Sequence, residues 1–457
     1  MKHELEPFFN PKSVAVIGAS RHPKKFGRVV FENFLRPGFK GKVYAVNPKG
    51  ESVLGEKCYK NILEIKEPVD LAVIVIPSEF VSQAVKDCVK KGVKACIILS
   101  AGFSEIGNTK GEEEIAKCKG KMRILGPNVI GIYDAYSRVD TIFNPPHKQG
   151  RPEKGSIGFI SQSGAFGAAM MDWASSEGIG LSRFISIGNR VDVDEVDLLD
   201  YLMKDDKTKS VAIYLEGAKR GKDLFKKLKE ITKKKPVIII KAGQTAEGSH
   251  AASSHTGALA GEAQVYSGVF KQTGTIEVKE IEDLFDISKA LAFQPLPKGN
   301  RIHLITNGGG FGVLATDAII KNGMTLSELS PETVKKIKAS KDVPKYAVIN
   351  NPIDLVGDAT SARYKAAIES VLEDSGVDGI IVTILLQLAL MESNVVDVLV
   401  NASKKTKKPI IVCSAGGQYT DIHRKLLEEA GIPTYSTPEQ AAKAMKALVD
   451  YAEIRNK

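Results

Sequence analysis

The most constraining feature of this 457-residue sequence is a recurring apolar run, rich in β-branched residues, that ends in Gly, Pro or a small polar residue. The first third of the chain contains the runs VAVIGAS, KVYAVNP, DLAVIVIP, ACIILSAG and RILGP, with amphipathic segments between them. Strands that are apolar at every position are typical of parallel sheets buried on both faces. This alternation predicts βαβ units, in which ligands bind beyond the carboxyl ends of the strands.

The sequence predicts an α/β protein with three such domains, since 457 residues exceed what one hydrophobic core usually supports. The first domain spans residues 1–145 and ends at the linker NPPHKQGRPEKG. The second, flavodoxin-like, spans residues 151–294 and contains the strand runs GSIGFIS, LSRFIS, SVAIYL, KPVIII and TIEV. The third, also flavodoxin-like, spans residues 299–457, contains RIHLIT, TLSEL, DGIIVTILL and KPIIVC, and closes on a helix from Pro438 to Asn456.

Composition excludes several classes of function. The net charge of +10 comes from lysines spread along the chain, and no helix-turn-helix, zinc finger or aromatic stacking platform is visible, so nucleic-acid binding is disfavoured. The five cysteines form no CxxC and no metal-ligand spacing, which predicts reduced thiols and neither disulfides nor a metal site. We find no signal peptide and no apolar stretch of transmembrane length, and we therefore expect a cytoplasmic protein without membrane contact.

Small-residue turns follow the first strand of each predicted domain. These turns are Gly18-Ala19-Ser20, Ser161-Gln162-Ser163-Gly164 and Gly308-Gly309-Gly310-Phe311-Gly312. A turn of this kind at the start of a helix presents backbone N–H groups and the helix dipole to an anion, typically a phosphate. Steric relief between strand and helix is the alternative explanation for each turn taken alone.

The first turn does not fit a nicotinamide cofactor. The first glycine is Gly18 and the next is Gly27, so the GxGxxG spacing is absent. The second strand ends in Asn47, Pro48 and Lys49, where an NAD enzyme places an acidic residue for the ribose hydroxyls. Lys49 would suit a phosphorylated ribose instead, and an NAD(P)-dependent oxidoreductase is disfavoured.

With its Gly-Ala-Ser turn and the later elements LSAGFSE and ILGPNVIG, this first domain resembles the Rossmann-like CoA-binding domain of the succinyl-CoA synthetase family. The resemblance implies that CoA is held by Gly18, Ala19, Ser20, Lys25, Phe26, Gly27 and Lys49. It also implies a pantetheine path lined by Pro77, Ser100, Ala101 and Gly102, for which ordinary strand-end geometry is the alternative. Relatives often have Cys where this chain has Val129, a packing difference because the family chemistry does not use that thiol.

Two histidines lie in KAGQTAEGSHAASSHTGALAG, whose small and polar residues offer little to anchor a core. The pattern around His255, SSHTGALAG, resembles the phosphohistidine loop of ADP-forming acyl-CoA synthetases, also called NDP-forming. A neutral imidazole is a good nucleophile toward an acyl phosphate. The resemblance implies that His255 is phosphorylated, and His250 is the alternative.

The same resemblance implies further site residues. Glu216, in YLEG, would hydrogen-bond the second imidazole nitrogen, although a carboxylate solvated or paired with Lys219 is the alternative. The helix start at Gln162, Ser163 and Gly164 would bind phosphate. Gly188 and Asn189, at another strand end, would shape the same pocket.

The family implies an alpha subunit that converts acyl-CoA, ADP and phosphate into acid, ATP and CoA through an acyl phosphate and a phosphohistidine. No P-loop and no ATP-grasp domain is recognisable, so ADP/ATP and Mg²⁺ would bind mainly on an ATP-grasp beta subunit in an alpha2-beta2 heterotetramer. The third domain, with TNGGGFGV and NPIDLVGD, is also family-like, whereas a succinyl-CoA synthetase alpha subunit lacks it. A CoA-binding regulatory or scaffold protein without ligase activity is the alternative. No motif selects the acyl group.

Overall fold

The computed structural model describes residues 3–245, 247–248 and 263–456. The chain divides into two compact units, of which the first consists of residues 1–176 and 180–279. The second unit consists of residues 177–179 and 280–457. The first unit contains two sheets and the second unit contains one. The division of the chain into three domains, at residues 1–145, 151–294 and 299–457, stays a prediction.

The first sheet has six strands, all parallel, in the order β3-β2-β1-β4-β5-β6. Its strands are β1 (Ser13–Ile17), β2 (Lys42–Val46), β3 (Cys58–Tyr59), β4 (Leu71–Ile74), β5 (Ala95–Ile98) and β6 (Arg123–Leu125). Its helices are α1 (Glu6–Phe9), α2 (Phe26–Leu35), α3 (Ser78–Lys91) and α4 (Thr109–Cys118), with 3-10 turns at Ile62–Glu64 and Ser104–Ile106. This is the doubly wound strand order of dinucleotide-binding folds, which places a binding crevice beyond the carboxyl ends of the neighbouring strands β1 and β4.

The second sheet has the order β12-β11-β10-β8-β9-β7, and β7 alone runs antiparallel to its neighbour. Its strands are β7 (Ile132–Asp134), β8 (Lys154–Ser161), β9 (Leu181–Ser186), β10 (Ser210–Leu215), β11 (Val237–Lys241) and β12 (Ile276–Val278). Its described helices are α5 (Gly164–Ser176), α6 (Glu195–Lys204), α7 (Gly221–Ile231) and α8 (Ala263–Thr273). Counted from β8, the parallel strands follow the flavodoxin-like order 2-1-3-4-5.

One hydrophobic core joins the first two sheets. It includes Val14 and Val73 of the first sheet together with Ile160 and Ile213 of the second. The amino-terminal segment also connects them, because the ring of Phe9 stacks on that of Tyr201 with 4.5 Å between centroids. The two sheets therefore share one core, and the carboxyl ends of β1 and β10 belong to one packed unit.

The third sheet, in the second unit, has the path β15-β16-β13-β17-β18-β19, with β14 also pairing with β13. Its strands are β13 (Arg301–Thr306), β14 (Thr325–Leu326), β15 (Val348–Ile349), β16 (Ile353–Asp354), β17 (Gly379–Thr383), β18 (Ile410–Cys413) and β19 (Thr434–Tyr435). Its helices are α9 (Ile281–Phe293), α10 (Gly309–Lys321), α11 (Pro331–Ala339), α12 (Ser361–Glu373), α13 (Val395–Lys405), α14 (Gln418–Glu429) and α15 (Pro438–Asn456). β14 and β16 pair with opposite ends of β13, so both occupy the second-strand position of a flavodoxin-like order.

Helix α9 is held in the second unit by a buried lysine. Lys289 Nζ donates to Glu428 Oε1 at 2.9 Å and to the carbonyl oxygen of Thr434. Its ammonium also lies 4.4 Å from the centroid of the Tyr435 ring. A buried ammonium without partners would be costly, so these contacts specify where α9 docks.

Asp374, in the loop after α12, offers a stability test of the second unit. Its carboxylate accepts hydrogen bonds from the N–H groups of Ser330 and Gly376, both at 2.8 Å. Burial acts to raise the pKa of Asp374, but these hydrogen bonds outweigh it and lower the pKa from 3.8 to about 2. The stabilisation is therefore fully present above pH 4 and is lost as the pH falls through about 2.

We expect Asp374→Asn to lower the free energy of unfolding by about 1 kcal/mol at neutral pH. Urea unfolding measured across the acid range should show that the difference from the wild type shrinks as Asp374 protonates. The exposed Asp317, in α10, provides the control substitution Asp317→Asn, which we expect to be neutral. An Asp374→Asn effect that is unchanged between pH 5 and pH 2 would contradict this assignment.

The predicted fold class is confirmed. Parallel sheets form from the apolar runs, and the closing helix spans Pro438–Asn456 as expected. Among the described residues, no helix has both the length and the apolar composition needed to cross a bilayer. All five cysteines are free thiols.

Candidate functional site

A cavity of about 1200 Å³ opens in the first unit, at the carboxyl ends of strands from both sheets. Among the predicted CoA residues, it is lined by Gly18, Ala19, Ser20, Lys25, Phe26, Gly27, Lys49, Pro77, Ser100 and Ala101, whereas Gly102 lies outside the lining. The lining also includes Gln162, Ser163, Gly164, Gly188, Asn189 and Glu216. The structure thus brings the predicted CoA residues and the predicted phosphate residues to one cavity.

The turn after β1 requires Gly18, and the first turn of α2 requires Gly27. Gly18 has φ +100°, and a Cβ at this position would overlap the carbonyl oxygen of Val75. A Cβ at Gly27 would overlap the carbonyl oxygen of Gly18. The strand end and the helix start are therefore packed backbone to backbone, and only glycine fits at either position.

Cationic side chains surround this turn. Lys25 and Lys49 are exposed at the cavity, and Arg21 beside them contacts Glu51 at 3.2 Å. The Asn47 side chain donates to the carbonyl oxygen of Ala19 at 2.8 Å and so ties the end of β2 to the turn. This half of the cavity suits an anionic ligand.

An aromatic surface lies next to the cationic groups. Phe26 is 56% exposed, and its ring stacks on that of Phe143 with 4.4 Å between centroids. Both rings line the cavity. Sequence reasoning missed Phe143 and Arg21, because Phe143 precedes a linker and Arg21 lies in a turn without periodicity.

The start of α5 forms the opposite side of the cavity. Ser163 Oγ accepts a hydrogen bond from the N–H of Phe166 at 3.3 Å, and Gly164 and Ala165 line the cavity. The first N–H groups of a helix have no partner within the helix, and the helix dipole adds partial positive charge there. The helix start is thus suited to an anion such as phosphate.

Gln162, predicted to contact phosphate, has its side chain turned toward the protein. Its Oε1 accepts hydrogen bonds from the N–H groups of Glu216 and Gly217 at 2.6 and 3.0 Å. Its Nε2 donates to the carbonyl oxygen of Gly217 at 2.8 Å. Gln162 is buried, and these bonds engage its amide with the backbone beyond β10.

Glu216 follows β10 directly and faces the cavity. Burial raises the pKa of Tyr214 to about 12, with contributions from the charge of Glu216 and a hydrogen bond to it. The Tyr214 hydroxyl is thus a donor to this carboxylate at neutral pH. Lys219, the alternative partner considered for Glu216, donates to the carbonyl oxygens of Asn189 and Arg190 at 2.8 and 3.2 Å.

Asn189 connects the loops of the two sheets. Its Nδ2 donates to Glu105 and Glu112 at 2.6 and 2.7 Å, and its Oδ1 accepts from Asn128 at 3.2 Å. Burial acts to raise the pKa of Glu105, but hydrogen bonds from Asn189 and from the N–H of Gly102 outweigh it and lower that pKa. Sequence reasoning missed the two carboxylates, which lie more than 70 residues from Asn189 in the chain.

The two predicted phosphohistidine positions, His255 and His250, lie outside the described residues. The segments that flank them attach beside Glu216. The N–H of Ala242, after β11, donates to the carbonyl oxygen of Leu215, and Tyr266 of α8 accepts a hydrogen bond from the N–H of Ala218, both at 2.9 Å. In the part of the chain that the structure describes, no cluster of His, Cys, Asp and Glu side chains is arranged to hold a metal ion.

Comparison with known proteins identifies the family. Residues 12–135 match the model of a CoA binding domain, residues 154–291 that of a succinyl-CoA ligase like flavodoxin domain, and residues 302–453 that of a Ligase-CoA domain. The acetate–CoA ligase [ADP-forming] II subunit alpha of Pyrococcus furiosus is 40% identical, with 98% of each chain covered. The corresponding I subunit alpha of the same organism is also 40% identical, with 99% of each covered. The chain belongs to the family of ADP-forming acetate–CoA ligase alpha subunits.

A solved relative supports membership of the ADP-forming acetate–CoA ligase alpha subunits at the level of structure. The dinucleotide forming acetyl-coenzyme A synthetase 1 of Ca. Korarchaeum cryptofilum, in complex with phosphate and ADP, superposes with a TM-score of 0.92. It is 40% identical, and the match covers 99% of this chain and 97% of that one. The resemblance inferred from the loop around His255 and the assignment to the acid–thiol ligases are thereby confirmed.

Proposed function

We propose that this chain binds CoA and carries the phosphohistidine of an ADP-forming acyl-CoA synthetase that acts on acetyl-CoA. One observation carries the proposal: the CoA turn at Gly18, the start of α5 and the carboxylate of Glu216 line the same cavity. A CoA-binding regulatory protein would need the turn alone. The ligase needs all three groups, because thioester, phosphate and imidazole must meet in one place.

The first step joins phosphate to the acyl group. A phosphate oxygen attacks the thioester carbonyl, the C–S bond breaks, and CoA leaves as the thiolate and takes a proton. The start of α5 at Ser163 and Gly164 holds the phosphate, while the cationic turn holds the nucleotide end of CoA. Pro77, Ser100 and Ala101 guide the pantetheine toward the helix start, and Gly102, which lies outside the cavity lining, is given no contact with it.

The second and third steps move the phosphoryl group. The neutral imidazole of His255 attacks phosphorus, and the P–O bond to the acyl group breaks to release the free acid. Glu216 accepts a hydrogen bond from the other imidazole nitrogen and stabilises the ring as it becomes positive. A terminal oxygen of ADP then attacks phosphorus, the P–N bond breaks, and ATP forms.

The nucleotide step requires a partner subunit. The close relatives are named as alpha subunits, which implies that a second subunit completes them. We assign ADP/ATP and Mg²⁺ mainly to an ATP-grasp beta subunit in a cytoplasmic alpha2-beta2 heterotetramer. Magnesium would neutralise negative charge during phosphoryl transfer. Among the described residues of this chain, no cluster of side chains is arranged to hold that ion.

Lys49, which follows β2, allows a test of CoA binding. Because Lys49 is exposed at the cavity beyond Asn47, we assign it to the 3′-phosphate of CoA. We expect Lys49→Met to weaken CoA binding about 10-fold, the loss of one charge-assisted contact, and to leave dephospho-CoA binding unchanged. Isothermal titration with both ligands measures the difference.

The matched control for this test is Lys42→Met, because Lys42 is the first residue of β2 and lies at the end of the strand away from the cavity. It should bind both ligands like the wild type. An equal loss of CoA and dephospho-CoA in Lys49→Met would refute the assignment to the 3′-phosphate.

The test of the proposed function is reconstitution. The chain, mixed with its candidate beta subunit and Mg²⁺, should form ATP from acetyl-CoA, ADP and phosphate, and neither subunit alone should do so. CoA binding without ATP formation, with a partner known to be competent with another alpha subunit, would favour the regulatory alternative.

A further inference from the structure

The segment Glu216–Ala218, which follows β10, is fixed by side chains from three other elements. Gln162 bonds to the N–H groups of Glu216 and Gly217 and to the carbonyl oxygen of Gly217. Arg190 Nη1 donates to the same carbonyl oxygen at 2.6 Å. The hydroxyl of Tyr266 accepts the N–H of Ala218 at 2.9 Å. The backbone that carries Glu216 is thus held at four polar groups.

The buried carboxylate of Glu195 contacts two of these side chains, Gln162 and Arg190. Glu195 is 0% exposed, and its Oε2 lies 3.4 Å from Gln162 Nε2 and 3.4 Å from Arg190 Nη1. Burial raises the pKa of Glu195, and the charge of Arg190 opposes that rise. Burying such a pair is unfavourable or neutral for stability, which makes stability alone a poor reason for its presence.

The backbone at Arg190 is strained as well. Its φ is +58°, a left-handed conformation that costs about 1 kcal/mol for a residue with a side chain. The conformation accompanies the guanidinium contact with the carbonyl oxygen of Gly217. Arg190, which helps to hold the segment Glu216–Ala218, therefore has both a strained backbone and a buried ion pair with Glu195.

We propose that Gln162, Arg190 and Tyr266 are positioning residues that set the direction of the Glu216 carboxylate for the phosphohistidine step. This inference rests on the proposed function, and it gives Gln162 a role other than the predicted contact with phosphate. Tyr266 belongs to α8, the first described helix after the segment that contains His255, so it also ties the chain beyond that segment to the backbone next to Glu216.

The test uses variants that loosen the segment without changing Glu216. Tyr266→Phe removes one oxygen, and Gln162→Met removes an amide at similar side-chain length. We expect the single-turnover rate of phosphorylation of this chain by ATP and the beta subunit to fall about 10-fold in Tyr266→Phe and about 100-fold in Gln162→Met. The Kd for CoA should not change, because the CoA turn lies on the other sheet.

The matched control is Tyr136→Phe, which removes a hydroxyl bound to the carbonyl oxygen of Gly155 at the far edge of the second sheet. It should phosphorylate at the wild-type rate. Tyr266→Phe keeps the test decisive if Gln162→Met fails to fold. A merely structural role would lower the melting temperature, the CoA affinity and the rate together, and that result would overturn the inference.

A double variant separates this inference from the proposed function. If Tyr266 acts through Glu216, Tyr266→Phe combined with Glu216→Gln should be no slower than Glu216→Gln alone. A further 10-fold loss in the double variant would overturn the positioning role, as would wild-type rates in both single positioning variants while Glu216→Gln is slow. A wild-type rate in Glu216→Gln itself would instead reject the proposed role of Glu216.

Discussion

His255→Ala should abolish ATP formation from acetyl-CoA, ADP and phosphate, with a loss of at least about 10⁴-fold in kcat for the reconstituted enzyme. The reason is chemical. Alanine offers no nucleophile to take the phosphoryl group from the acyl phosphate, and direct transfer to ADP would need both substrates at one site. Coupled detection of ATP with excess beta subunit measures the effect.

The control for this prediction is His250→Ala, which removes the other imidazole in the same segment. We expect it to retain activity within a few-fold of the wild type, and CoA should bind to both variants with the wild-type Kd. Loss of activity in His250→Ala with retention in His255→Ala would transfer the nucleophile to His250.

Glu216→Gln should slow phosphorylation of the chain about 100-fold. Glutamine keeps the shape and the contacts of the side chain with its neighbours but removes the negative charge that stabilises a positive imidazole. CoA binding should not change. The exposed Glu153 provides the control substitution Glu153→Gln, which should phosphorylate at the wild-type rate.

The pH dependence of the same variant gives an independent result. A carboxylate beside an imidazole raises the pKa of the imidazole, and only the neutral ring attacks phosphorus. The acidic limb of the rate profile should therefore move to lower pH in Glu216→Gln. An unmoved limb together with a wild-type rate would show that Glu216 does not contact the histidine.

The long strands of all three sheets could be predicted from the sequence, because an apolar run such as VIIIK is buried at every position. The two-residue strands β3, β15, β16 and β19 could not, since two residues carry no periodic signal, although the equally short β14 lies in the predicted run TLSEL. The place of β7 could not be predicted either. It precedes the first linker and so falls within the first predicted domain, but it pairs with β9 of the second sheet. Pairing between distant segments depends on packing that local patterns do not encode.

The candidate site, too, could be predicted only in part from the sequence. The backbone turns at Gly18 and Gly164 follow from glycine and small residues at a strand end, and the sequence places both. The orientation of the Gln162 amide and the contacts of Asn189 with Glu105 and Glu112 depend on segments more than 50 residues apart. The position of His255 lies outside the described residues, so its role stays a prediction.

The most direct measurement is the chemical nature of the phosphorylated enzyme. The chain, incubated with its beta subunit, Mg²⁺ and ATP labelled in the γ-phosphate, should acquire an acid-labile, base-stable label that is absent from His255→Ala and is discharged by ADP. Label that persists in His255→Ala would contradict the site, and a partner that forms ATP while this chain stays unlabelled would contradict the phosphohistidine mechanism itself.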